Sequence, residues 1–558
     1  MARPARTVGL RLLAGAAAAV FALLGAGIRA DAAGACGTLV IPTGLGVGPP
    51  TAAGSLHPVL SPGSLYDQES FNQLYRPMLW FQPDHAIDWS LSHASSIDVE
   101  DGGRTYVITL KPITWSDGVA VTADDLVYGF ELMKQLGPTY SGYDSGGMPK
   151  LFQAVEAEDP LTLRVTLTQA VNPEWFELSG LGQLYALPRH AWGRYSVDEQ
   201  RSLQTDAGFL SVVDGPFRLV EFNSGRYEAL APNPSYAGPQ AQVERLVIDF
   251  LQGTSPLEAL RAGELDAANL PFNVYDAARA IPGLALVKLP PQSGYESIVV
   301  NMRNPDAPFL ADARVRQAIA DAVNQDEVIH LAFHDSTVPV RSPVPPVPAT
   351  FLSEDARAGR FPTGYDPAHA RALLAQAGFT PGPDGILQKD GRRLEWTDLL
   401  SDAATDLLVE WQVVQANLLA IGIRMNIRLM QFNQIIALMD RDPSGWQTAS
   451  IGWSFPNYPD MQINYGTGAG ENYGHFSDPE TDALLKQVQD QPGREALFRL
   501  QDHLAALQPF IIMPQGAYSL LVRPGVEGLG DALQANYLWA LQKIHFSGER
   551  ACDAQAAR

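Results

Sequence analysis

Cysteine is almost missing from this chain: 558 residues hold two, Cys36 and Cys552, and no Cys-x-x-Cys pair. Also missing are a Gly-x-Ser-x-Gly elbow, a Gly-Lys pair of the kind a phosphate-binding loop needs, and a Gly-x-Gly-x-x-Gly turn. Nothing here calls for nucleophilic, nucleotide-dependent or thiol-redox chemistry. Basic residues are scarce, with 39 Lys and Arg against 61 Asp and Glu for a formal charge of −22. Such acidity keeps a protein soluble and makes nucleic acid an unfavourable partner. Long apolar runs are missing after the first residues, so no later segment is expected to span a membrane.

What is present begins at the N-terminus. Arg3, Arg6 and Arg11 precede an apolar run from Leu12 to Leu24, and Ala30-Asp31-Ala32 supplies small residues at a cleavage spacing. Residues 1–32 are expected to be an export signal, because the run falls short of the roughly 20 apolar residues that cross a bilayer. Removing Arg3, Arg6, Arg11, Arg29 and Asp31 leaves 35 basic and 60 acidic residues, a charge of −25. In an exported chain, Cys36 and Cys552 read as one disulfide tying the ends. The rival reading is lipidation at Cys36, although Ala33-Gly34-Ala35 lacks the usual Leu three residues before the cysteine.

The length exceeds what one core usually supports, so two or more lobes are expected. Short apolar runs alternate with capped helices, the pattern of α/β folding. Leu246 to Leu251 reads as a strand. Ser255-Pro256-Leu257-Glu258 reads as a capping box closed at Gly263. Asp366-Pro367 opens a helix ending at Gly378, and a helix ending near Gly422 leads into alternating Ile423 to Leu429, a strand with one buried face. Leu289 to Gly294 is expected to cross between lobes, and Ser342 to Pro348 to form a surface loop, since proline suits neither regular element.

The most informative block runs Trp115-Ser116-Asp117-Gly118, then Thr122-Ala123-Asp124-Asp125-Leu126. It reads as a polar turn into a helix that Thr122 caps, with Asp124 and Asp125 at the positive end of the helix dipole and Leu126, Phe130 and Met133 on one face. It resembles the signature of the family 5 extracellular solute-binding proteins, receptors of peptide and nickel ABC importers. The resemblance runs on through Leu56-His57-Pro58, Tyr75 to Leu79, Gly215-Pro216-Phe217, Asn233 to Tyr236, Gly263-Glu264-Leu265-Asp266, Phe309, Val315 to Ile319, Asp326, Pro343 to Pro346, Tyr365 to Phe379 and Asn472 to Phe476.

This resemblance implies an α/β fold: a two-lobed clamp like the type II periplasmic binding proteins, with an extra subdomain inserted in the first lobe. The expected division is 33–70 and 206–292 for the first lobe, 71–205 for the insert, 293–520 for the second lobe and 521–558 for a return to the first. The implied function is capture without catalysis, of a peptide or similar polar solute passed to an inner-membrane ABC permease, by a periplasmic monomer with no cofactor.

Gly452-Trp453-Ser454-Phe455-Pro456-Asn457-Tyr458-Pro459-Asp460 resembles the family's Trp-x-x-Asp-Tyr-Pro-Asp segment, whose first aspartate holds the ligand ammonium in peptide-binding members. Here Asn457 takes that place if one residue is inserted, and Pro456 if not, and neither is an anion. A charge-assisted bond is worth about 1.5 to 3 kcal/mol, so its loss makes an oligosaccharide or other organic solute the first alternative, with a secreted carboxylate hydrolase as a remote one. Trp453, Asn457, Tyr458, Asp460 and Asn301 are the candidate ligand contacts, with core packing as the competing role for the aromatics and backbone satisfaction for Asn301. The Gly- and aromatic-rich run Tyr140 to Gly147 is expected in a solvent loop rather than on the cleft wall. His330 and His334 share a helical face on paper, but lack a His-Glu-x-x-His pattern and a third ligand, so no metal site is expected.

Overall fold

The computed structural model describes residues 35–46, 52–61, 63–251, 255–270, 272–402 and 407–550. The expected signal (1–32) and Cys552 lie outside these. No helix among the described residues is long and apolar enough to cross a membrane.

Four main sheets carry the architecture. In the first lobe, strands run in the order Thr38–Pro42, Arg245–Asp249, Tyr227–Pro232, Phe217–Asn223, with the first pair parallel and the others antiparallel. The expected strand at Leu246 is therefore present and central. A separate antiparallel sheet orders Ala94–Glu100, Thr105–Leu110, Thr162–Leu167 and Phe152–Asp159. The helix Ala123–Leu136 buries Leu126, Phe130 and Met133 as the spacing required.

The second lobe is built on a five-stranded mixed sheet, ordered Arg424–Met430, Glu395–Ser401, Thr448–Ser454, Gly294–Val300, Phe510–Met513. The chain enters it from strand Ala285–Lys288 through Leu289-Pro290-Pro291, and leaves it after Met513 for strand Ser519–Val522. That last strand pairs with Ala285–Lys288 and Ala267–Asn269, so it straddles the boundary expected at 520. Two adjacent crossovers between otherwise separate sheets form a hinge geometry.

Helix ends follow local rules. Asp366 accepts from the N–H groups of Ala368 and His369 (3.0 and 2.8 Å) ahead of helix Pro367–Gln376, and Gly378 ends that turn at φ +90°. Helix Pro256–Ala262 starts at Ser255 and stops at Gly263 as expected, but the Ser255 side chain makes no cap bond, so the box is not closed.

The stretch Ser342 to Pro348 has no regular structure, yet it is packed rather than on the surface. Ser342 and Val344 are buried, and the Ser342 hydroxyl lies 3.4 Å from Gln501 Oε1. Proline rules out helix and strand, but it does not rule out burial when a neighbouring helix supplies partners.

Candidate ligand cleft

Strand Thr448–Ser454 lies between Gly294–Val300 and Glu395–Ser401, and alternation along its last residues turns Gly452 and Ser454 outward while burying Trp453. Trp453 Nε1 donates to Ser297 Oγ at 2.8 Å, and its ring stacks on Phe510 with centroids 5.4 Å apart. The chain then leaves the sheet, and Phe455 N–H donates to Ser293 O at 2.9 Å. From here the segment runs along the boundary between the lobes.

Two cavities meet at Ser145, Ser454, Phe455 and Pro456. The larger, about 720 Å³, is walled on one side by Tyr143, Asp144, Lys150 and Trp175, and on the other by Trp453, Asp460 and Glu471. The smaller, about 400 Å³, has Gln183 and Gln292 opposite Asn457. The larger volume lies within the roughly 300 to 1,000 Å³ of small-molecule sites. A further cavity of about 620 Å³ lined by Asp321, Arg341 and His369 is walled by the second lobe alone, so closure of the lobes does not form it.

Asp460 sits where the walls touch. Trp175 Nε1 donates to its Oδ2 at 2.7 Å and Gln462 N–H to its Oδ1 at 2.9 Å, while burial pushes the carboxyl up from the usual aspartate range. Nearby, Asn172 Nδ2 donates to Val488 O and Gly493 O (3.1 and 3.0 Å), and its N–H to Gln489 O at 2.7 Å. Arg494 Nε reaches both oxygens of Glu174, at 2.9 and 3.1 Å. On the other side of the cleft, Asn457 O accepts from His85 Nδ1 at 2.7 Å, and Asn457 Oδ1 from Asn536 Nδ2 at 3.3 Å. Burial lowers the His85 pKa, which favours the neutral ring donating that one proton.

The structure thus brings Trp453 and Asp460 to the larger cavity and Asn457 to the smaller. Tyr458 lines neither: it is fully buried, edge-on to Phe351 at 5.3 Å. Asn301 also lines neither, because its amide is consumed locally. Nδ2 donates to Pro443 O and Trp446 O (2.6 and 2.9 Å), and Oδ1 accepts from Arg303 N–H at 3.0 Å.

The run Tyr140 to Gly147 combines both alternatives: Ser141, Asp144 and Ser145 are exposed, as in a solvent loop, while Tyr143, Asp144, Ser145 and Gly147 also form cavity wall. A local reading of glycine content could not show that this loop faces a second lobe. Trp175 and Glu471 were not anticipated. Trp175 follows the Asn172-Pro173 helix start, and Glu471 directly precedes the Asn472 segment that resembles the family, but position in sequence does not show which side chains reach a cleft.

His330 and His334 are engaged separately, the His334 ring lying 5.9 Å from the Tyr275 ring. His334 ends helix Gln325–Phe333 in the left-handed conformation (φ +49°), and His330 Nδ1 instead lies 3.3 Å from Asp335. Among the described residues no group of three or more His, Cys, Asp or Glu side chains could hold a metal ion.

Comparison with known proteins agrees with this architecture. The chain is 25% identical over 455 residues to the oligopeptide-binding protein AppA of Bacillus subtilis, covering 78% of this chain and 81% of that protein. In structure it is similar to NikZ from Campylobacter jejuni in complex with Ni(L-His), with a TM-score of 0.73 at 21% identity, covering 91% of this chain and 99% of that one. It is similar also to Bacillus subtilis AppA in complex with a nonapeptide, with a TM-score of 0.70 at 21% identity, covering 92% and 99%. Residues 83–473 match the family described as bacterial extracellular solute-binding proteins, family 5 middle. With that match spanning most of its length, this two-lobed chain belongs to the family 5 extracellular solute-binding proteins, the substrate-binding components of ABC transporters rather than enzymes.

Proposed function

We propose that this protein captures a peptide or similarly sized polar solute between its lobes and hands it unchanged to a membrane permease. The observation that carries this reading is the cavity of about 720 Å³ with walls from both lobes, Trp175 and Tyr143 on one side and Trp453 and Asp460 on the other. Such a site exists only when the lobes meet, so a ligand that fills it favours the closed form and shifts the population. Relatives named for oligopeptide binding, and a fold shared with a nonapeptide complex, support a peptide. The fold is shared equally with a nickel–histidine complex, which supports a small chelate as a second arm of the test.

The same reading includes export through residues 1–32, action as a periplasmic monomer, an inserted subdomain over 71–205 and a Cys36–Cys552 disulfide. Melting curves with peptides, oligosaccharides and nickel–histidine decide the ligand. A ligand at 100 times its dissociation constant adds about 2.7 kcal/mol. Peptides are expected to raise the melting temperature. A shift with sugars and none with peptides would overturn the peptide reading.

A further inference from the structure

The larger cavity is unbalanced in charge. Three carboxylates line it, Asp144, Asp460 and Glu471, against a single basic side chain among the described lining residues, Lys150. Lys150 faces solvent beside Asp144, with Nζ 2.8 Å from Asp144 Oδ2 and 4.7 Å above the Tyr143 ring, and both side chains are more than half exposed. Asp460 has its two N–H donors from Trp175 and Gln462.

Glu471 stands apart from both. Its Oε2 accepts from Asn464 Nδ2 at 3.0 Å, and no ion pair reaches it from the described residues. The residue is held in place rather than free to swing: Glu471 N–H donates to Ile463 O at 3.0 Å, and the buried Asn464 is anchored through its own N–H to Met461 O at 3.3 Å. Burial raises the Glu471 carboxyl above the usual glutamate range, the expected state of an anion stripped of water and given one neutral donor. Tyr473 adds no second anion beside it. Burial, and after it the charge of Glu471, push its hydroxyl up to about 12, so it stays protonated and neutral.

A desolvated carboxylate at a cavity wall regains what it lost when a cation arrives. Trp175 and Trp453 add aromatic surface to the same cavity, which suits an organic cation better than a hydrated inorganic one. We propose that Glu471, outside the Trp453 to Asp460 segment, receives a cationic nitrogen of the captured solute, an ammonium or guanidinium, in place of the carboxylate that Asn457 does not provide. This inference rests on the capture proposed above and narrows its ligand class. The cation has two possible sources, the α-ammonium of a peptide or a basic side chain.

Calorimetric titration of the purified protein with matched pairs tests it. One pair is tetra-alanine and its N-acetyl form, and the other an N-acetylated tetrapeptide amide carrying lysine or norleucine. In at least one pair the cationic member should bind about tenfold tighter or more, the increment of a charge-assisted bond. The first pair reports the α-ammonium and the second a side chain. Glu471→Gln should collapse that ratio towards one, chiefly by weakening the cationic member, while Glu471→Asp should keep a preference for the cation. Equal binding within both pairs by the natural protein, or a ratio that persists in Glu471→Gln, overturns the assignment while capture stands. Equal binding by the natural protein overturns the assignment without any variant, and if Glu471→Gln fails to fold, Glu471→Asp carries the test, since a shortened carboxylate should narrow the ratio and an unchanged ratio overturns the assignment. If no member of either pair binds, the assignment falls, and the melting curves with oligosaccharides and nickel–histidine decide whether capture stands.

Discussion

Asp125 shows why the most diagnostic residues of this chain are not those nearest its ligand. Its carboxylate takes N–H bonds from Thr122 (3.0 Å), Trp115 Nε1 (3.3 Å) and Arg189 (3.2 Å), joining turn, helix and following chain at one buried point. Other signature residues act alike. Arg316 donates to the carbonyls of Leu310, Ala311, Leu507 and Gln508, and Asn472 bonds Gly466 O and both backbone groups of Phe476. Asp125→Ala would leave buried donors unpaired and is expected to cost roughly 2–4 kcal/mol in urea unfolding, with ligand affinity little changed. Buried acids give a second prediction. Glu228 is fully buried, and burial, with the charge of Asp67 after it, raises its pKa to about 7. The folded state therefore holds a proton that the unfolded state has released above its ordinary value of 4.5. Stability from this group is present below that value and declines as pH rises towards 7, after which it levels off. Unfolding free energies of Glu228→Gln and the natural protein, from urea melts at each pH, should diverge across that window in favour of the variant, by up to roughly 3 kcal/mol.

At the scale of elements, the start of helix Pro173–Ser179 is one place where the lobes meet, in addition to the His85 and Asn536 bonds to Asn457. Asn172, Glu174 and Trp175 contact, in turn, the end of helix Pro479–Asp490, Arg494 and Asp460. These bonds exist only with the lobes together, so they favour closure without touching the hinge. Trp175→Phe keeps the ring and removes the proton given to Asp460. It is expected to weaken ligand binding about 3- to 30-fold, because apparent affinity falls with the fraction of closed protein. Scattering of the unliganded variant should show a larger radius of gyration than the natural protein. An unchanged radius would place the contact outside the closing equilibrium.

For the molecule as a whole, closure couples two lobes through the paired crossovers at 289–293 and 514–518. Saturating ligand should contract the radius of gyration by scattering, and identical curves with and without a bound ligand would contradict the clamp. The ends of the chain carry a separate prediction. If Cys36 and Cys552 are joined, the intact protein resists thiol labelling until reduced, and Cys36→Ser lowers unfolding stability by about 2–4 kcal/mol. Labelling of both thiols without reductant would reject the bridge.

Local chemistry was enough to read the α/β alternation, the Thr122 cap, the Asp366 cap and the crossing at Pro290-Pro291, because helix ends and strand alternation depend on residues a few positions apart. The family was legible for a related reason: its signatures are buried hydrogen-bond nodes such as Asp125 and Arg316, which tolerate few side chains. The cleft was only partly legible. Trp453, Asn457 and Asp460 could be named from a segment, but the roles of Tyr458 and Asn301 in packing and loop closure, and the arrival of Tyr143, Trp175 and Glu471 at one cavity, depend on contacts between residues hundreds of positions apart. Burial and desolvation belong to the assembled lobes, so the electrostatic character of the cavity is set in three dimensions.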